Sequence, residues 1–287
     1  MELFGVDFSG AKSDDRTWVA RGHLEGDALV LRSCEPLSRG RLGDILAKTE
    51  CPAVAALDFP FSVPLEFGRW WVPGANEMPH VWAAASAIEV GEFTAMRDVY
   101  VAERGETKRV CDSLYPESYS CLHKANPNLV PMTFHGMRML ARLWPGGCDV
   151  PPLEPHRGRR IVLLEVMPGA VLRTLRLPYK GYKNGVNALA LRRRILGHLR
   201  DHGPVPMANL DEFEDLCAGD HDALDAVVAA VAAALWAADP GLFRLPPPGD
   251  PTARLEGWLY APAFGPGGTF KGEGVGCSEI AATQHLR

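Results

Sequence analysis

Hydrophobic residues fall into two rhythms along this chain. Near the start they form short runs at residues 2–8 (ELFGVDF), 16–23 (RTWVARGH), 28–33 (ALVLRS) and 53–59 (AVAALDF), separated by Gly, Pro and charged residues. Runs of this length and composition predict β-strands. The LEGD segment between the second and third is a hairpin-turn signal. Residues 38–49 instead place Leu42, Ile45 and Leu46 on one side of a helix. The order is strand, strand, strand, helix, strand, an α/β pattern. Short connections suit an antiparallel meander for the first three strands, and the helical crossover suits a fourth strand parallel to the first.

Residues 60–158 break this rhythm. They are rich in Pro, Gly, Trp and Met, with helical stretches near 80–97 and 133–143, and read as a large inserted cap. Strand pattern resumes at 160–166 (RIVLLEV). A helix near 187–201 follows, with Ala188, Leu191, Ile195 and Leu199 on one face and Arg192, Arg193, Arg194 and Arg200 mainly on the others. The most apolar helix spans 221–238, and the GWLYAP segment reads as an extra strand. Residues 1–262 thus form one expected domain, with 263–287 as a C-terminal tail.

Composition narrows the function classes. Of 287 residues, 47% are hydrophobic and 23% charged, which is ordinary for a soluble globular protein. The net charge of -5 provides no global basic field for nucleic acid, so a polyanionic substrate needs a local basic patch or bound metal. The seven cysteines (34, 51, 111, 121, 148, 217 and 277) are scattered without a CxxC, as expected for small hydrophobes in a reducing cytoplasm. Cys111 and Cys121 lack zinc-site spacing. The apolar run 226–238 is too short to span a bilayer, and no membrane association is expected.

The candidate chemistry is acidic. Asp7 and Asp58 end apolar strands, and Asp222 and Asp225 open the most apolar helix, three residues apart on one face. Carboxylates at the mouth of a buried element are costly unless a cation or a hydrogen-bond network meets them. Magnesium takes hard oxygen ligands and keeps several waters, so carboxylates from two strand ends and one helix start suit Mg²⁺ or Mn²⁺. Two such ions about 3.5–4 Å apart stabilise the attacking and leaving oxygens of a phosphodiester displacement. Plainer readings stand beside these. Asp222 suits a helix N-cap, and Asp7 and Asp58 suit turns.

Basic and aromatic residues add candidates for binding nucleic acid or a nucleotide. Lys180 and Lys183 flank Tyr182 in the PYKGYK loop, where they suit a phosphate and a stacked base, or simply a solvated loop. Lys108 and Arg109 in the insertion, and Arg157, Arg159 and Arg160 before a strand, are further cations. His221 adjoins the acidic pair and suits proton transfer. Lys12 follows the first aspartate's turn, and Glu165 ends a strand. Trp70, Trp71, Trp82 and Trp144 suit base stacking or core packing.

The motifs GVDFSGAK, ALDFPFSVP, LLEVMPGAVLR, PYKGYK, HDALDAVVAA and EGWLYAP, in this order, resemble domain-of-unknown-function family 429. The resemblance implies a ribonuclease H-like fold, a mixed sheet with the first strand central and the fourth parallel beside it. It also implies a nuclease-like activity with acidic residues on those strands and the last helix, at Asp7, Asp58, Asp222 and Asp225. Glu165 matches the family's Glu-Val-x-Pro pattern. The long insertion departs from a minimal nuclease. Two other functions compete: a non-catalytic nucleotide- or protein-binding module, and an ATP-binding protein of actin or sugar-kinase type. The last lacks a second copy of the core in this sequence.

Overall fold

β1 (Glu2–Asp7) is apolar on both sides because it lies in the middle of a sheet. The chain is described by a computed structural model that covers residues 1–50, 52–124, 126–154 and 161–263. β2 (Thr17–Glu25) pairs antiparallel with β1, and a Gly26–Asp27 turn, with Gly26 at φ +64°, returns the chain as β3 (Ala28–Leu37). Ser38 caps α1 (Arg39–Lys48), which crosses to β4 (Ala53–Asp58), parallel to β1. The short β5 (Cys148–Asp149) and β6 (Ile161–Glu165) complete a mixed six-stranded sheet in the order β3-β2-β1-β4-β6-β5. β3 runs four residues beyond the expected 28–33.

Between β4 and β5 lie α2 (Leu65–Trp71), α3 (Met78–Ser86), α4 (Val90–Arg104), α5 (Val110–Ser113) and α6 (Leu129–Leu143). The stretch expected near 80–97 is two helices, because Glu89 and Glu92 form a capping box that starts α4 afresh. Most of residues 60–158 packs into the layer on one face of the sheet, where Phe67, Trp82, Phe93 and Phe134 share a core with Phe4, Val6 and Leu57. Cys111 and Tyr115 join the core of the other face.

The other face carries α7 (Pro168–Thr174), α8 (Ala188–His202), α9 (Glu214–Gly219) and α10 (His221–Ala238), and α11 (Pro251–Glu256) follows. α10 is long and apolar enough to cross a membrane by length and composition alone, yet it is the buried core helix of this layer. Gly5 permits its close approach: a Cβ there would stand 2.1 Å from the Ala226 carbonyl oxygen. GWLYAP does not form the expected strand. It makes isolated bridges, Leu259 to Glu165 and Pro262 to Phe243, past the end of β6.

Candidate functional site

Strand alternation decides where each acidic side chain points. On β1, Leu3 faces the α10 layer while Phe4 and Val6 face the other, and on β4, Val54 and Ala56 face α10. Side chains alternate with period two, so Asp7 and Asp58 both face α10. They are also register partners at the carboxyl ends of adjacent parallel strands. Ligand sites in open α/β sheets lie at this edge.

The helix supplies the remaining carboxylates without spending them on capping. Asp220 is the N-cap of α10, accepting from the N–H of Asp222 at 2.8 Å and of Ala223 at 3.3 Å. The capping role open to Asp222 belongs to its neighbour. Asp222 lies close enough to Asp7 to share a hydrogen bond, and its Oδ1 lies 2.6 Å from His221 Nδ1. Asp225 is fully buried; it accepts from the Tyr182 hydroxyl at 2.8 Å and pairs with Lys183 Nζ at 2.6 Å.

The electrostatics of the four carboxylates are unbalanced. Burial pushes Asp7 well above the ordinary carboxylate range, with Asp225, Asp58 and Asp222 adding to the rise and Lys183 opposing it. Asp58 is pushed up to about 8, chiefly by burial and against the pull of Lys183. Burial also raises Asp225, though Lys183 and Tyr182 resist. Burial is the largest single influence on the Asp222 carboxylate and works against it, but the hydrogen bond and charge of His221, with Lys183 and Asp7, together hold Asp222 low. Lys183 is raised although desolvation opposes its charge, because Asp225, Asp7 and Asp58 surround it. One ammonium and one imidazole therefore face four carboxyl groups, an arrangement that a divalent cation would balance.

The donor set suits a hard cation, and Lys183 sits on Asp225 as a cation would. The set is nonetheless open. Among the described residues, the group whose ligand atoms all lie within 4.8 Å of one another is Asp220, His221 and Asp222. One of those carboxylates already caps α10. A shared ion would thus reach Asp7, Asp58 and Asp225 partly through water, as Mg²⁺ commonly does.

A cavity of about 770 Å³ opens from the cluster, and Asp7, Asp58 and Asp225 lie on its wall. Lys180 lines it, exposed, with its ammonium 5.4 Å from the Tyr179 ring centroid. None of the four expected tryptophans does. Trp82 is buried and donates to the Phe61 carbonyl, Trp144 packs on Trp82, and Trp70 and Trp71 pack on Phe67.

Of the two basic residues expected to bind substrate in the insertion, Arg109 lines the cavity but its donors are already engaged, and Lys108 does not line it. Arg109 is buried and forks onto Glu165 (2.5 and 2.8 Å) and Asp112 (2.9 and 3.0 Å), with a fifth bond to the Glu256 carbonyl at 3.1 Å. Lys108 donates to the Ser118 carbonyl at 2.7 Å. Glu165 sits one register step from Asp58, opposite Leu57, so it leaves the strand on the other face of the sheet, although at the strand's end it still lines the cavity. It also accepts from the Phe61 N–H at 2.9 Å. Lys12 is exposed after β1 and makes no ion pair among the described residues. Arg192 is not part of a wet helix face: it is buried, donating to the carbonyls of Ala218 and Tyr182. Arg157, Arg159 and Arg160 lie outside the described residues.

Asp112, Glu256 and the capping Asp220 were missed. Asp220 carried a local signal, an acidic residue directly before the helix, and Asp112 a weaker one, its i,i+3 spacing from Arg109. Glu256 acquires its partners through folding.

These features define an α/β protein with an under-neutralised acidic cluster at the carboxyl edge of a mixed sheet. A family model described as "Protein of unknown function (DUF429)" matches residues 5–252, and the chain belongs to that family. No curated protein and no solved structure matches it.

Proposed function

We propose that this protein is a divalent-metal-dependent phosphodiester hydrolase, a nuclease or phosphodiesterase on a ribonuclease H-like sheet. The observation that carries the reading is the under-neutralised set of buried Asp225 and half-buried Asp7, Asp58 and Asp222 on β1, β4 and α10. The strand order supports the fold, with β1 central and β4 parallel beside it. Mg²⁺ or Mn²⁺, when bound, supplies charge for the phosphate and a more acidic water. The four aspartates hold and orient the ion, directly or through water. His221, on Asp222, takes or gives a proton at its free ring nitrogen. Lys183, now on Asp225, is the cation that would be free to meet a phosphate oxygen once Asp225 served the ion. A reducing, cytoplasmic setting belongs to the same reading, supported by the buried free thiols of Cys34, Cys111, Cys121, Cys148 and Cys217.

A second reading is a non-catalytic nucleotide- or protein-binding module. It is favoured by Lys183, which already occupies Asp225, and by the open spacing of the carboxylates. Hydrolysis of single-stranded DNA, duplex DNA, RNA and a chromogenic phosphodiester, with and without Mn²⁺, separates the two. The hydrolase reading expects Mn²⁺-dependent cleavage that Asp58→Asn abolishes. Metal binding without turnover of any substrate leaves the module.

A further inference from the structure

The far wall of the cavity holds a carboxylate that no part of the metal chemistry uses. Glu117 lines the same cavity as Asp7, Asp58 and Asp225. Its side chain is only 9% exposed, and both carboxylate oxygens are buried without a hydrogen-bond donor. Arg173 is the nearby cation, but its closest nitrogen stands 3.7 Å away, beyond hydrogen-bond reach. Buried polar groups are normally satisfied, and a bare one in a cavity wall marks a place for a ligand's donors.

The loop is held in place for this. Ser118 donates to Asp112 at 2.9 Å, and Lys108 anchors the Ser118 carbonyl at 2.7 Å. Tyr119 lies beside Glu117 on the wall, largely exposed and stacked on His123 with ring centroids 4.8 Å apart. Tyr179 lines the cavity as well. Aromatic faces of this kind accept nucleobases by stacking.

We propose that Glu117 determines base specificity, recognising the paired N–H donors of a guanine while the nucleotide's phosphate lies at the aspartate cluster. Two bare carboxylate oxygens match two adjacent donors. Guanine presents N1–H beside its exocyclic amino group. Adenine and cytosine present a donor beside an acceptor, and uracil one donor between two acceptors. A cavity of about 770 Å³ lies within the usual size for small-molecule sites. The ligand is therefore a mononucleotide or one unstacked nucleotide of a strand, not an intact duplex. The phosphate's position rests on the hydrolase reading; the base assignment does not.

Calorimetric titration of the full chain with GMP, IMP, AMP, CMP and UMP, in the presence of Mg²⁺, tests this. GMP should bind at least about tenfold tighter than AMP. IMP lacks the exocyclic amino group and should fall below GMP by a similar factor. Glu117→Gln turns one acceptor into a donor facing guanine's donors. It should lose roughly tenfold or more in GMP affinity and narrow the gap to AMP, with the melting temperature unchanged or higher, since an unbonded buried carboxylate is neutralised. Equal binding of GMP, IMP and AMP by the wild-type protein overturns the assignment without any variant. So does the absence of nucleotide binding, or full GMP affinity in Glu117→Gln. Agmatine carries a guanidinium donor pair; if it binds through Glu117 while GMP does not, the nucleotide class is wrong. A Glu117-dependent GMP preference without hydrolysis of any substrate would sink the hydrolase reading and leave this one standing.

Discussion

Two acidic constellations, one buried and one half-buried around the buried Asp225, sit side by side at the carboxyl edge of the sheet, and their charges are treated in opposite ways. Around Arg109, one guanidinium spends its donors on Glu165, Asp112 and a main-chain carbonyl, and Glu256 accepts from the N–H groups of Leu65 and Val110. Around Asp58, four carboxyl groups share Lys183, Tyr182 and His221. Burial raises Glu165 as well, but the Arg109 fork pulls it back. Among the described residues nothing comparable faces Asp7 or Asp58. The difference separates charge that is matched within the fold from charge that is not, and on the proposed function the second awaits an ion. The Arg109 network ties β6 to α5 and α11, whereas the Asp58 cluster costs stability for as long as it lacks a cation.

The sharpest attack on this contrast removes Arg109. Arg109→Met leaves Glu165 and Asp112 buried without their cation, and the protein should lose about 3–5 kcal/mol in urea unfolding. A loss below about 1 kcal/mol would mean that the network is not structural. The reverse is expected across the divide. Asp58→Asn removes a carboxyl group that the fold must either protonate or leave as an unbalanced charge, so the metal-free protein should unfold at equal or higher urea. The variant should also lose the stabilisation that Mg²⁺ gives the wild-type protein, about 2.7 kcal/mol when free ion is a hundredfold above its Kd. A full metal shift in Asp58→Asn would remove Asp58 from the ligand set.

Which side of this contrast a residue joins was only partly legible in the sequence. The strands, the α1 crossover and α10 followed from periodicity, since each buries a regular apolar face. Asp7 and Asp58 were legible because a carboxylate closing an apolar strand stands out. Glu165 looked the same, and only its register, one step off Asp58, turns it to the other face. Arg109 and Lys183 looked alike too, as basic residues in irregular segments. What distinguishes them is a partner set spread from Asp112 to Glu256 in one case and Asp225 in the other, and no local pattern encodes contacts at such separations. Within the insertion α6 was legible from its strongly amphipathic pattern, whereas α3 and α4 merged into one stretch because their one-sided patterns are weak.

Protonation offers a milder test of the same contrast. Asp58 ionises near 3.8 in an unfolded chain and near 8 in the folded, metal-free protein. Below 3.8 both states hold the proton and nothing changes. Between these values only the folded state holds it, so unfolding releases a proton and stability falls as pH rises, levelling off above about 8. Asp7 and Asp225 are raised and act in the same direction. Metal-free protein should therefore lose unfolding free energy steadily from pH 5 to pH 8. Saturating Mg²⁺, which favours the ionised carboxylates, should flatten that slope. A flat profile without metal would mean that the cluster is already neutralised.

The smallest expected effect concerns Lys183, the one residue that could blur the distinction. If its pairing with Asp225 were a second structural ion pair, the two constellations would differ only in degree. The ammonium is close, at 2.6 Å, but the Lys183 side chain is 44% exposed and its carboxylate partner fully buried. Solvent screening limits what such a pair contributes, so Lys183→Met should cost about 1 kcal/mol or less in the metal-free protein. Its effect on the ion should have the opposite sign. Removing the resident cation leaves Asp225 free, and Mn²⁺ should bind a few-fold more tightly, read as a larger thermal shift at equal ion concentration. A large loss of stability with unchanged Mn²⁺ affinity would instead make Lys183 the counterpart of Arg109 and place both constellations on the structural side.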